Sequence, residues 1–214
     1  MSKSALARAP SPRVAQKQAR ARNSIIEAAD ELTRKRSVDD VSIKDITETA
    51  DVGQGTFYIH FKSKNDVLIP IMQADAARLD RAMQAALKDT DDPAVILATS
   101  ARIMGRYVTQ DERWRWVLRN SSVPVDEMQR AFGKFRDRDY QKGQASGDFT
   151  ELDPSISASF TFGGFINVLV ANLDSSAREA AIDQATELAL RALGVSSEKT
   201  THIANQPLPS IQLD

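Results

Sequence analysis

Between Ser42 and Leu68 the chain is punctuated too densely for anything but short helices. Ser42, followed three residues later by Asp45, supplies the two halves of a capping box. Ile43, Ile46 and Ala50 then fall on one face of a helix of about two turns. Thr49-Ala50-Asp51-Val52-Gly53 forms the break, with Val52 as its apolar plug. Asp enters the left-handed backbone region more readily than most residues, and Gly enters it freely. Beyond the turn, Phe57 and Phe61 stand four apart and face a core, while Gln54, Thr56, Tyr58 and His60 project elsewhere. Ser63 with Asp66 makes a second capping box and opens a helix to about Lys88. Helix, tight turn and short helix with a polar row make a helix-turn-helix, which places its second helix in a major groove.

The flanking charge agrees. Residues 1–64 hold 12 Lys/Arg against 8 Asp/Glu, whereas residues 65–214 hold 16 against 21. A basic N-terminal third on an acidic remainder fits a nucleic-acid-binding head on an acidic body. Residues 1–16, with Pro10, Pro12 and scattered basic residues, read as a disordered arm: either a solvated tail or a strand that follows phosphates. From about Val14 to Lys35, Ile25, Ile26, Ala29 and Leu32 share one helical stripe, and Arg34-Lys35-Arg36 suits a helix C-terminus.

The run Gly55-Thr56-Phe57-Tyr58-Ile59-His60-Phe61-Lys62-Ser63-Lys64-Asn65-Asp66-Val67-Leu68 carries a specific resemblance. Residues 20–68 resemble the DNA-binding domain of the TetR/AcrR family of bacterial regulators. Two positions depart from the pattern: Asp51 stands where that turn usually has Gly, and Gly53 where the second helix usually has a Ser cap. The resemblance implies that Lys44, Gln54, Thr56, Tyr58, His60 and Lys64 touch DNA. The residues themselves divide the work. Gln54 offers a donor and an acceptor to adenine, and Thr56, beyond Gly55, offers a hydroxyl and a methyl. Tyr58, His60, Lys62 and Lys64 suit phosphates, as do the backbone amides opening the helices at Ser42 and Ser63. For Tyr58 and His60, packing against the first helix is the alternative, and for Lys62 plain solvation.

Downstream the chain is helical throughout, which makes the class all-α with about nine helices. Asp92-Pro93 and Asp153-Pro154 each pair an N-cap with a first-turn proline, and Val123-Pro124 starts a long helix that ends at Gly147. Residues 112–120 form a short segment carrying both tryptophans; a last helix opens at Ser175 or Ser176 and stops at Gly194. The division reads as a helix-turn-helix domain over 17–64, a ligand-binding and dimerisation domain over 65–194, and a disordered tail over 195–214. The uncharged run from Pro154 to Leu173 holds too many Ser, Thr and Asn residues to cross a membrane, so it reads as a buried helix. With no cysteine and no signal-peptide core behind the N-terminal basic residues, the expected compartment is the cytoplasm.

Catalysis finds no footing: the two histidines, His60 and His202, share no evident site, and no phosphate loop, paired-His motif or nucleophile elbow occurs. No cofactor or metal is expected. Met72, Ile103, Met104, Tyr107, Trp114, Val117, Met128, Phe132, Phe162 and Phe165 read singly as core and together as the lining of a small-molecule cavity. Tyr107, Arg119 and Asn167 are the polar anchors within reach. Phe160, Gly164, Val168 and Ala171 on one helix and Leu188, Ala189 and Ala192 on another form a stripe that suits either core or a seam with a second copy; the resemblance favours the homodimer. The whole reads as a dimeric, ligand-responsive regulator that binds double-stranded DNA at a palindromic operator, most simply a repressor released by a largely apolar molecule. An activator, an effector-independent regulator, or a ligand carrier that reads no DNA are the alternatives.

Overall fold

The structure, a computed structural model, describes residues 11–120 and 124–213. Ten helices occupy them: α1 Pro12–Lys35, α2 Ile43–Thr49, α3 Gln54–His60, α4 Lys64–Ala86, α5 Pro93–Gln110, α6 Glu112–Arg119, α7 Pro124–Ala145, α8 Pro154–Ala171, α9 Arg178–Ala192 and α10 Ser197–Ala204. No strand occurs among the described residues. The chain divides into two compact units, one ending at Ile71 and the other beginning at Met72.

In the first unit α1, α2 and α3 pack on one another around Ile25, Ala29, Ile46, Phe57 and Phe61, all buried. The Arg22 guanidinium lies 5.3 Å from the centre of the Phe61 ring, a cation–π contact between α1 and the end of α3. The capping box that opens α2 is complete: Ser42 Oγ accepts from the Asp45 amide, and Asp45 Oδ2 accepts from the Ser42 amide. The turn after α2 is a Schellman motif, with Val52 N–H donating to Thr47 O and Asp51 N–H to Glu48 O. Asp51 takes the left-handed position at φ 52°, where the pattern usually has Gly. Gly53 has an extended backbone at φ −71°, so its glycine character serves no conformational need.

In the second unit α5 packs against α6, α7, α9 and α10, and α8 against α6, α7 and α9. One cluster of its core joins Ala94 and Ala98 on α5, Tyr140 on α7, Phe149, Leu190, Leu193, Val195 and Ile203. The expected caps are present at α5 and α8, where Asp92 and Asp153 accept amides of the first turn. Ion pairs tie the later part of α4 to its neighbours: Asp75 to Arg113 on α6 at 2.8 Å, and Asp80 to Arg138 on α7 at 2.9 Å.

Three expectations need correction. The helix count is ten because residues 197–204 of the expected disordered tail form α10, with Thr200, Ile203 and Ala204 buried. Buried Arg102 holds the chain just beyond α10, donating to Gln206 O at 2.8 Å and to Asp183 at 2.8 Å. The expected arm over 1–16 ends earlier, since α1 starts at Pro12, a residue suited to the first helical turn; residues 1–10 lie outside the described residues. The run from Pro154 to Leu173 is not buried all round, because α8 exposes Ile156 and Phe160.

Candidate nucleic-acid interface and cavity

Phe57 is fully buried, so α3 is anchored by one face and presents the rest. Gln54, Gly55 and Tyr58 are exposed, and Thr56 and His60 partly so. The Tyr58 ring meets Phe57 edge-on at 5.6 Å and remains 57% exposed, which removes the alternative of a tyrosine packed away against α1. Ile59, at 69% exposed, lies beside this polar row. Its position in the sequence run looked variable and gave no cue. Lys44 and Lys62 are exposed, the former 3.8 Å from Glu48.

Two of the expected DNA-binding groups are already engaged. The Ser42 amide and hydroxyl both donate to Asp45 Oδ2, so neither is open to a phosphate. The same contacts, the amide foremost, hold the Asp45 carboxyl below its ordinary value. Lys64 Nζ donates to Val38 O at 2.6 Å, bracing the link between α1 and α2. That contact moves Lys64 from phosphate grip to structural brace. At the start of α4, Ser63 Oγ accepts from the Asp66 amide, but Asp66 Oδ2 reaches the Lys62 amide rather than that of Ser63.

The second unit contains a cavity of about 90 Å³. Met104, Phe132, Phe162 and Phe165 from the sequence reading line it. Met72, Ile103, Val117 and Met128 are buried without lining it, and Trp114 backs its wall, 5.2 Å ring to ring from Phe132. The three candidate anchors lie elsewhere. Tyr107 is near Asp75 and Arg78, where burial and the Asp75 charge raise its pKa. Arg119 donates to Asp174 at 2.8 Å, and exposed Asn167 donates to Gly163 O of its own helix.

On α8, Phe160, Gly164 and Ala171 are exposed and Val168 partly so. On α9, Leu188 and Ala192 are exposed, while Ala189 is partly buried and lines the cavity. Phe160 and Leu188 keep 72% and 63% of their surface open, and Ile156 keeps 70%. Large apolar side chains grouped on two helices in this way mark an interaction surface more often than chance exposure.

Residues 25–70 match the family described as bacterial regulatory proteins, tetR family, and residues 92–206 match the tetracyclin repressor-like C-terminal domain. The chain belongs to the TetR family. Membership makes it a DNA-binding regulator and not an enzyme, as the sequence run around Phe57 implied. Among solved structures, RolR in complex with resorcinol is 30% identical, with a TM-score of 0.83 over 92% of this chain and 100% of that one. RolR without ligand gives 29% identity and a TM-score of 0.76 over 89% and 100%. The FadR repressor of Thermus thermophilus, solved with lauroyl-CoA, shares the fold at 16% identity, with a TM-score of 0.67 over 88% and 99%. An uncharacterised HTH-type regulator of Bacillus subtilis (strain 168), YvdT, is 48% identical over 46 residues. That match spans 22% of this chain and 23% of the relative's length.

The polar part of the cavity wall escaped the sequence reading. Asp80, Ser100, Arg136, Asp139, Tyr140 and Thr161 line it together with the apolar residues. Arg136 and Tyr140 stand four apart on α7 and so share a face, a signal available in the sequence. Charged residues flank them at 134, 137, 138, 139 and 142, and that pattern resembles an ordinary solvated surface.

Proposed function

We propose that this chain is a homodimeric repressor of a two-fold symmetric operator, released when a small molecule occupies the cavity of the second unit. The observation that carries the reading is α3. Its Phe57 is buried while Gln54, Tyr58 and Ile59 are exposed, in a chain whose family reads DNA. Gln54 pairs with adenine, Thr56 and Ile59 meet thymine methyl groups, and Tyr58, His60, Lys44 and Lys62 hold phosphates. The DNA-reading domain covers 17–64, and the effector and pairing domain starts at 65 and includes α10. The protein works in the cytoplasm; no helix among the described residues is long and apolar enough to cross a membrane.

Pairing supplies the second half-site. The exposed Ile156, Phe160 and Leu188 support a seam formed by α8 and α9 with a second copy. Leu188→Glu then yields monomers in sedimentation, and a dimer unchanged by that variant contradicts the seam. Control runs through α4, which continues unbroken past Pro70 from one unit into the other. A hundredfold release of DNA needs the effector to prefer the non-binding conformation by about 2.7 kcal/mol. RolR at 30% identity supports a small effector over a large one.

Selection of bound fragments from a random DNA pool tests the reading. Enrichment of a two-fold symmetric sequence is expected. No enrichment of any sequence overturns it and leaves a ligand carrier or scaffold.

A further inference from the structure

Three side chains that line the cavity carry polar atoms with no hydrogen-bond partner: Ser100 Oγ on α5, and Arg136 Nη1 and Tyr140 OH on α7. All three atoms are sealed from solvent, and Tyr140 as a whole is 2% exposed. Buried polar groups in native proteins are nearly always paired, so orphans grouped around one cavity call for a missing partner. Three of the chain's other orphaned atoms are guanidinium nitrogens of Arg78, Arg115 and Arg178, side chains outside this wall.

The rest of the wall says what that partner is. Asp80 and Asp139 are committed to a single guanidinium, that of Arg138, at 2.9 and 2.8 Å. Arg136 spends Nε and Nη2 on Asp137 and lies 4.9 Å above the Phe162 ring, which leaves Nη1. The charges are then three carboxylates against two guanidinium groups, a net negative surround. An anionic ligand would meet Asp80 and Asp139. A neutral hydroxyl instead accepts from Arg136 and either donates to or accepts from Ser100 or Tyr140, so all three orphans are served without a charge. Size narrows the choice further. A dry cavity of about 150 Å³ lined by aliphatic and aromatic groups holds benzene. At about 90 Å³ this one takes one ring after slight adjustment, and not an acyl chain with a nucleotide.

We infer that the effector is an uncharged, single-ring-sized molecule bearing hydroxyl groups, hydrogen-bonded by Ser100, Arg136 and Tyr140 with its apolar body against Met104, Phe132 and Phe165. This rests on the reading of the cavity as the effector site.

Calorimetric titration of the full chain with phenol, resorcinol, toluene and benzoate tests it, together with melting of the unliganded protein. Phenol and resorcinol are expected to bind at least about tenfold more tightly than toluene or benzoate, since a site with unpaired polar groups rejects a ligand that leaves them so. Tyr140→Phe removes an unpartnered hydroxyl. It is expected to leave the unliganded melting temperature unchanged or raised while weakening resorcinol about tenfold. Ser100→Ala checks the same point on α5. Toluene binding as well as phenol, benzoate binding more tightly, or Tyr140→Phe lowering the melting temperature with resorcinol affinity intact each overturns the inference. If the probes bind and release DNA without preferring hydroxyls, the cavity reading survives and this one alone fails. If none binds while the chain still selects an operator, both fail and DNA reading stands.

Discussion

Replacing Arg113 by Met removes one partner of the most deeply buried ion pair in the second unit. Asp75 is 4% exposed and Arg113 8%, with 2.8 Å between guanidinium and carboxylate. Exposed pairs contribute about 0–1 kcal/mol. Stripping the partner from a buried charge costs about 3–5 kcal/mol, because the remaining ion has lost both water and counter-charge. Here Arg78 stays on the other oxygen of Asp75 at 2.7 Å, which favours the lower end, about 3 kcal/mol. For a unit of this size about 3 °C accompanies each kcal/mol, so the melting temperature should fall by about 10 °C. The double variant Asp75→Leu, Arg113→Met leaves no buried charge, and Arg78, with its side chain 24% exposed, can turn to water. It should recover to within about 1 kcal/mol of the native protein. Thermal melts followed by circular dichroism read all three proteins. A double variant no better than the single one, or a single variant that loses less than about 3 °C, refutes the reasoning.

Lys64→Met removes the ammonium that braces Val38 O and should destabilise the first unit by about 1 kcal/mol. In a DNA titration the salt slope should stay that of the native protein, and a slope lower by about 1 would return Lys64 to the phosphate contacts. Asp51→Ala forces a residue less tolerant of positive φ into the left-handed turn, at a cost of about 1 kcal/mol. Gly53→Ser adds a capping hydroxyl where a Cβ meets nothing within 4 Å, and should stabilise by a few tenths of a kcal/mol. Chemical denaturation measures both, and an Asp51→Ala protein as stable as native would remove the turn argument.

Acid stability follows from three carboxylates held below 3.8. These are Asp45 by the Ser42 amide and hydroxyl, Asp153 by the Ser155 hydroxyl and the first amides of α8, and Asp174 by Arg119 and Arg115. A depressed folded-state pKa gives stability that is complete above the unfolded value and lost as pH falls through the folded one. Melting temperature should be flat from pH 7 to about 4.5 and fall below the ordinary carboxylate value. A decline that begins near pH 6 contradicts this assignment.

Local rules account for what was legible in the sequence. Ser42, Asp92 and Asp153 announce their helices because a cap bonds amides two or three residues on, within one window of sequence. Asp51 and the Phe57/Phe61 pair follow from the same short-range geometry. What escaped depends on distant partners. Lys64 reaches a carbonyl 26 residues back, and nothing around Lys64 distinguishes a brace from a phosphate contact. α10 is a two-turn helix whose stability comes from Arg102 and the core cluster about 100 residues earlier, so its own pattern was too short to read. The cavity wall joins α4, α5, α7, α8 and α9, and its polar members looked like surface charge until those helices were brought together.

The claim at the centre of this account is that α3 reads bases through Gln54. Fragment selection from one random DNA pool, run in parallel with the native chain and Gln54→Ala, measures it directly. The native chain should recover a two-fold symmetric sequence, and the variant a sequence altered at the same position in each half-site. Recovery of one identical sequence by both proteins would contradict the claim.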